Sequence, residues 1–205
     1  MLVIGLMGRA GAGKDTVADM ICETVDAARF AFATALKQEA AKAYRIDPRI
    51  FERREVKELP IRQLALERCV DQAFVAFAGR ELGMLGPLTP RTIMQTWGDY
   101  RRSQSADYFI GAADVARLVA DNARRRVLVA TDVRFANEAQ WIAKCNSVLW
   151  RVERSGLPPV NSHFSEYALR DLHADAAIRN DGSLDELRRC VVDLLGVTLA
   201  REARA

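Results

Sequence analysis

Only two histidines and four cysteines occur among the 205 residues. The cysteines, Cys22, Cys69, Cys145 and Cys190, are widely spaced and form no C-x-x-C pair. A Cys/His zinc site is therefore not expected. Free cysteine is among the most buried residue types, so reduced, buried thiols in a cytoplasmic protein are expected instead. Long apolar runs are also missing. None approaches the ~20 residues of a membrane span. The apolar stretch Leu2 to Met7 has no basic segment before it and stops at Gly8, too short for a secretory signal. A strong excess of one charge is absent as well. Lys and Arg total 30 and Asp and Glu total 27, a net charge of +3. A dedicated nucleic-acid binder would carry a clear basic excess, so neither stable nucleic-acid binding nor a membrane partner is expected. With 50% hydrophobic residues, the chain can bury a full core, which excludes intrinsic disorder. The length suits one domain, 1–205, with room for an inserted part.

Strand and helix patterns alternate at both ends of the chain, the signature of an α/β fold with a parallel sheet. Leu2 to Met7 is continuously apolar, as a strand covered on both faces should be. A helix follows from about Gly13 to Val25, with Val17, Met20, Ile21 and Val25 at helical spacing. Further strands are predicted at Phe30 to Ala33, Val127 to Ala130 (ending at Thr131-Asp132), Ser147 to Val152 and Ala174 to Arg179. Helices fit at about 136–145 and 165–172. A last helix starts at Ser183, where Ser183 and Glu186 make a capping box. Residues 197–205 read as a frayed tail. From Leu36 to about Arg124 the pattern is helical without a strand. This segment, set at 37–124, reads as an insertion that carries the second substrate, by analogy with other nucleotide-binding α/β proteins.

Gly8-Arg-Ala-Gly-Ala-Gly13-Lys14 fits G-x-x-x-x-G-K, placed after a buried strand and at the start of a helix. Glycines reach backbone angles other residues avoid, so successive N–H groups can point inward and cradle phosphate at the positive helix end. Gly8, Gly11, Ala12 and Gly13 form this cradle, and Lys14 reaches the β- and γ-phosphates. The purely structural alternative is a tight turn without a ligand. Asp15, not Ser or Thr, follows the lysine. Asp15 can hold Mg²⁺ directly or through water, or simply favour the first turn of the helix. Thr16 can bond the α-phosphate.

A second polar centre is Asp132-Val-Arg134-Phe-Ala-Asn-Glu138. In parallel α/β sheets, ligands sit at the carboxyl ends of strands, where Asp132 falls. Asp132 can bond the waters of Mg²⁺ or a substrate group, and Arg134 can clamp a phosphate. The alternatives are a helix cap for Asp132 and a plain helix start for Asn137 and Glu138.

Taken together, several segments resemble the phage-type deoxynucleoside monophosphate kinases of the P-loop kinase superfamily. They are G-R-A-G-A-G-K-D-T (8–16), the Leu36-Lys37 pair and R-R-E-V-K-E-L-P (53–60). P-R-T-I-M-Q-T-W-G-D-Y-R (90–101), D-V-R-F-A-N-E-A (132–139), H-F-S-E (163–166) and I-R-N-D-G-S (178–183) follow in the family's order. Two features depart from the family pattern. Phe164 follows His163 where proline is expected, and the helical stretch 61–89 is longer.

The resemblance implies an α/β three-layer P-loop fold with about five parallel strands and a helical acceptor-binding insertion. It implies transfer of the ATP γ-phosphate to a deoxynucleoside monophosphate, Mg²⁺ dependence, a homodimer, and phage or prophage origin. In that scheme Lys14, Asp15, Asp132 and Arg134 carry the chemistry, Asp15 and Asp132 serve the metal, and Lys37 or Arg91 holds the acceptor phosphate. Gln95, Trp97 and Tyr100 suit stacking and edge recognition of a base, or ordinary packing; Glu138 lies beside Arg134 on the acceptor side. Arg151 and Arg154 precede Gly156-Leu-Pro-Pro159, part of a lid loop at 153–165 that can close over ATP and bring an arginine to the phosphates; the alternative is a solvated surface pair. Asn180 can contact adenine or make a turn. Two alternatives remain at this level. One is another small-molecule kinase, such as dephospho-CoA kinase or phosphomevalonate kinase. The other is a nucleic-acid-associated ATPase using the basic runs Arg53-Arg54 and Arg124 to Arg126.

Overall fold

The computed structural model describes residues 1–83, 86–157 and 172–204. Five strands form one sheet: β1 (Leu2–Met7), β2 (Ala27–Phe30), β3 (Val127–Val133), β4 (Ser147–Glu153) and β5 (Ala176–Arg179). Their order is β2-β3-β1-β4-β5, and every neighbouring pair is parallel. Seven α-helices lie among the described residues: α1 (Lys14–Thr24), α2 (Ala33–Tyr44), α3 (Gln72–Leu82), α4 (Pro90–Gln104), α5 (Ile110–Asn122), α6 (Ala136–Ala143) and α7 (Leu184–Glu202). No helix among them is long and apolar enough to cross a membrane.

The chain folds as two compact units, Met1–Phe32 with Ile110–Ala205, and Ala33–Phe109. The first holds the sheet. On one face of it, Leu2, Ile4 and Leu6 of β1 and Val127 and Val129 of β3 pack against Val17 and Ile21 of α1 and Leu187, Val191 and Leu195 of α7. On the other face, Val3, Met7, Leu128, Ala130 and Val133 pack against Ala113 and Ala120 of α5 and Trp141 and Ile142 of α6. Helices on both faces of a parallel sheet give three layers. This matches the α/β P-loop fold expected from the motifs.

One irregularity matters for function. Gly5 pairs with Ala130 and Met7 pairs with Val133, so two residues of β3, Thr131 and Asp132, oppose one residue of β1. This is a β-bulge, a device that re-aims side chains. Its effect shows in the core. Leu128 and Ala130 share a face with Val133, not with residue 132. In an unbroken strand, side chains alternate, and the Asp132 carboxylate would point into the layer that holds Trp141 and Phe32. The bulge puts Val133 there instead.

The second unit is helical. Leu36 and Tyr44 of α2, Phe74 of α3, and Ile93, Trp97 and Tyr100 of α4 build its core, with Phe51, Leu64 and Phe109 from the connections. Four short 3-10 turns, Pro48–Phe51, Arg54–Val56, Arg62–Leu64 and Leu66–Arg68, join α2 to α3. Thr89 caps α4 with its side chain, and Pro90 opens the helix, where a missing N–H costs nothing. Helix α5 continues the helical run expected across 37–124, but it belongs to the unit that holds the sheet.

Several local expectations are corrected. The second strand is Ala27–Phe30 rather than 30–33. Beyond Phe30 the ladder ends, because the Phe32 amide donates to the side-chain carboxylate of Asp132 rather than to a backbone carbonyl of β3 (2.8 Å). The expected frayed tail is helix as far as Glu202, because Leu195 and Thr198 are buried and Leu199 packs on the sheet core. The thiols are all free, but only Cys69 is buried; Cys22 and Cys145 are half-buried and Cys190 is exposed. Burial pushes the Cys22, Cys69 and Cys145 thiols above their ordinary value, which keeps them protonated and unreactive. Residues 165–171 of the helix expected at 165–172 lie outside the described residues, as does the H-F-S-E segment.

The capping box at α7 is present. Ser183 Oγ accepts from the Glu186 amide (3.2 Å), and Glu186 Oε2 accepts from the Ser183 amide (2.7 Å). Donation from the Ser183 amide, and from its hydroxyl (3.0 Å), holds the Glu186 carboxyl below its ordinary value. Ser183→Ala should lower unfolding stability by about 1 kcal/mol. A lowered carboxyl pKa stabilises above the unfolded value and is lost as pH falls through the folded one. The gap between wild type and S183A, followed by thermal melts, should therefore narrow in acid and hold steady from neutral pH upward.

Candidate active site

The loop between β1 and α1 is shaped by three glycines with positive φ: Gly8 (146°), Gly11 (82°) and Gly13 (102°). L-residues with a side chain rarely adopt such angles. A second constraint adds to this at Gly8, where a Cβ would collide with the backbone carbonyl of Val152 on β4. Gly13 is the N-cap of α1, and a Cβ there would meet the Asn180 amide. Asn180, at the end of β5, donates from Nδ2 to the Ala12 carbonyl (2.8 Å). Two neighbouring strands thus hold the loop. It sits where the chain leaves β1 toward β2 on one side while β4 continues to β5 on the other, the switch point at which open α/β sheets bind ligands.

Lys14 is 9% exposed. Its Nζ donates to the carbonyls of Gly8 (2.8 Å) and Arg9 (3.0 Å). The ammonium therefore spans the loop it belongs to, next to the α1 N-terminus, where backbone amides and the helix dipole favour an anion. Asp15 and Thr16 follow in the first turn. The Asp15 carboxylate pairs with Arg29 of β2 (3.2 Å), and Arg29 also reaches Asp19, one turn further along α1.

Asp132 lies at the bulge on β3, the strand next to β1. Its Oδ1 accepts from the Phe32 amide, and Thr131 donates to the Phe30 carbonyl (3.3 Å). Both bonds fix the end of β2 against the end of β3. Arg134 follows β3. Glu138 is 3% exposed and turned inward. Its Oε2 accepts from the amides of Arg134 (2.7 Å) and Phe135 (3.1 Å), so it caps the start of α6. Glu138 thus positions the segment that carries Arg134, in keeping with the helix-start alternative.

Mg²⁺ takes oxygen ligands, keeps several waters, and is commonly held through one or two carboxylates plus substrate phosphates. No group of three or more His, Cys, Asp or Glu able to hold a metal occurs among the described residues. Asp15 beside the loop and Asp132 on the adjacent strand end are oxygen donors that fit such a phosphate-shared ion.

Other expected residues have identified surroundings. Arg151 on β4 donates to the Leu172 carbonyl (2.6 Å). At the start of the expected lid, the Ser155 amide and hydroxyl both bond the Asp181 carboxylate (2.6 and 3.1 Å); its residues 158–165 lie outside the described residues. In the helical unit, Lys37 pairs with Glu52 (3.2 Å) and Arg91 with Glu58, while Gln95 is half-buried. Trp97 is 1% exposed and packs on Phe74 at 4.5 Å between ring centres. Its indole N–H donates to Glu39 (3.2 Å), which also accepts from Arg101 (2.8 Å). The Arg101 guanidinium lies over Trp97, Tyr100 and Tyr108 at 5.0 to 5.3 Å. The rings of Trp97 and Tyr100 are thus covered by their own unit, the packing alternative to the base-stacking role.

Two features escaped the sequence reading. Arg29 stands alone in an apolar strand with no motif around it; the Asp15/Asp19 pair, four apart on one helix face, was the available signal. The Glu39–Arg101 pair is separated by more than 60 positions and leaves no local trace.

Strand order and loop geometry define a P-loop kinase-like α/β protein. Over 91% of this chain and 92% of the other, it is similar at 26% identity to an Acanthamoeba polyphaga mimivirus protein named "Putative deoxynucleotide monophosphate kinase". The similarity to that protein therefore extends over nearly the whole chain. No family model matches the chain. Among solved structures, TT1252 from Thermus thermophilus aligns with a TM-score of 0.45 at 16% identity, covering 95% of this chain and 96% of that one. A sugar kinase from Janibacter sp. HTCC2649 aligns with a TM-score of 0.39 at 11% identity, covering 95% and 94%. Strand order and loop geometry, rather than these two likenesses, define the fold class.

Asn180→Ala removes the amide that holds the Ala12 carbonyl. One neutral hydrogen bond contributes about 0.5–1.5 kcal/mol, so unfolding stability should fall by about that amount, read by denaturant melts of wild type and variant. Trp97→Ala should cost about 3–5 kcal/mol in ligand-free unfolding; a melting temperature unchanged from wild type would contradict the packing role.

Proposed function

We infer that the protein is a phosphotransferase that moves the γ-phosphate of ATP to a deoxynucleoside 5′-monophosphate, giving ADP and a deoxynucleoside diphosphate. The observation that carries this reading is the glycine-shaped loop with Lys14 across it, next to the strand end that presents Asp132. The name of the mimivirus relative supports the nucleotide acceptor.

Phosphoryl transfer asks mainly for positioning and for positive charge around the transferring group. The amides of Gly11 to Thr16 with Lys14 bind the ATP phosphates. Asp15 and Asp132 hold Mg²⁺, which when bound offsets the charge of the phosphates. Arg134, held by the Glu138 cap on its backbone, faces the transferring phosphoryl group. Lys37 and Arg91 supply charge for the acceptor phosphate, and Gln95 supplies an amide for its base. Arg151 and Asn180 complete the ATP side, Asn180 through the loop it holds. The attacking group is a phosphate oxygen of the acceptor, which is already ionised, so no strong general base is required.

The test is a coupled assay with Mg-ATP and a panel of acceptors: deoxynucleoside monophosphates, their ribose counterparts, dephospho-CoA and phosphomevalonate. Turnover should occur with one or more deoxynucleoside monophosphates. Turnover confined to dephospho-CoA or phosphomevalonate would replace the reading with another kinase of this fold. Steeply salt-dependent DNA binding without any kinase activity would replace it with a nucleic-acid-associated ATPase. Lys14→Ala should lower kcat by roughly 10²- to 10³-fold or more, as loss of a transition-state charge contact does, while circular dichroism stays native.

A further inference from the structure

The residue after the loop lysine, where a neutral Ser or Thr usually stands, is the carboxylate Asp15. It lies in the first turn of α1, where the positive helix end attracts it. The same positive end is what draws phosphate into the loop. A bare carboxylate there would compete with the ligand for that potential and repel it. Arg29 meets this charge. Its Nη2 lies 3.2 Å from Asp15 Oδ1, and its Nη1 is held by Asp19. The second grip anchors the guanidinium beside α1, and its backbone is fixed in β2, where Arg29 pairs with Val129. Asp15 is 70% exposed and Arg29 34%. An exposed pair of this kind contributes little to stability, so its structural value is small and its electrostatic placement is the more telling fact.

We propose that Arg29 is a positioning residue that neutralises Asp15 beside the phosphate-binding loop, allowing a polyphosphate to bind before Mg²⁺ takes over that carboxylate. The proposal rests on the nucleotide-kinase reading above. It makes Arg29 and Mg²⁺ alternative partners of one carboxylate. Removal of Arg29 should then harm Mg²⁺-free nucleotide binding more than Mg²⁺-bound binding, because the metal can replace the missing positive charge.

The experiment measures ADP affinity by calorimetry, in EDTA and in excess Mg²⁺, for wild type, Arg29→Gln, Arg29→Lys, Asp15→Asn and the Arg29→Gln/Asp15→Asn double variant. Arg29→Gln should weaken ADP binding in EDTA roughly two- to five-fold, the range an exposed charge pair supports. Binding in Mg²⁺ should change less, so the ratio between the two affinities rises. Arg29→Lys keeps the charge and should retain the wild-type ratio. In the Asp15→Asn background, Arg29→Gln should leave the ratio alone. Equal weakening in both media, no change in either, or a ratio shift that persists without Asp15 would overturn the proposal. Thermal melts on the same samples separate loss of the β2–α1 clamp from these effects. If wild type binds no ADP in either medium, the nucleotide-kinase reading fails, and the role of Arg29 falls with it.

Discussion

A buried ammonium must be met by acceptors, because an unpaired charge away from water is expensive. Lys14 meets this demand inside its own loop, through the carbonyls of Gly8 and Arg9. That choice dictates much of the rest. The two carbonyls turn toward the lysine, and the glycines at 8, 11 and 13 supply the angles the loop needs. The Val152 carbonyl of β4 lies against Gly8, and the Asn180 amide beyond β5 holds the Ala12 carbonyl. The sheet order is therefore part of the site: β4 and β5 brace one side of the loop, and β3 brings Asp132 to the other.

The helical unit has its own organising pair. Glu39 on α2 receives the Trp97 indole and the Arg101 guanidinium from α4, and the same guanidinium covers three aromatic rings. A carboxylate and a guanidinium that satisfy each other let the rings close over them without leaving polar groups unpaired. The contrast with the sheet-bearing unit is chemical. One unit keeps its cation at backbone carbonyls beside a helix start, while the other wraps its cation in aromatic surface.

Much of this was legible in the residues. The buried β1, the loop spacing and the S-x-x-E cap of α7 are local patterns with local causes, and each appears where the pattern put it. What escaped depended on partners distant in the chain. The end of β2 was misplaced because the Phe32 amide, two residues beyond it, bonds a carboxylate 100 positions away. Trp97 read equally well as a stacking ring or as core, since a helix face alone does not say what covers it; in the structure the ring packs on Phe74. Glu138 read either as an acceptor-side residue or as a plain helix start; its carboxylate accepts from the amides of Arg134 and Phe135 at the start of α6. Arg29 had no motif to announce it.

The bulge at Thr131-Asp132 also sets how this chain can change over time. Thr131 and Asp132 share the single place opposite Leu6, so β3 carries one residue more than the ladder needs. Loss of Thr131 would regularise the strand: Val133 would stay opposite Met7 in the layer of Trp141, and Asp132 would stand alone opposite Leu6. The faces would survive, but the hydroxyl that bonds the Phe30 carbonyl would be gone from beside the carboxylate that bonds the Phe32 amide. Substitution can explore the two positions one side chain at a time, whereas a one-residue deletion forces the chain to give up one of these two ties to the end of β2.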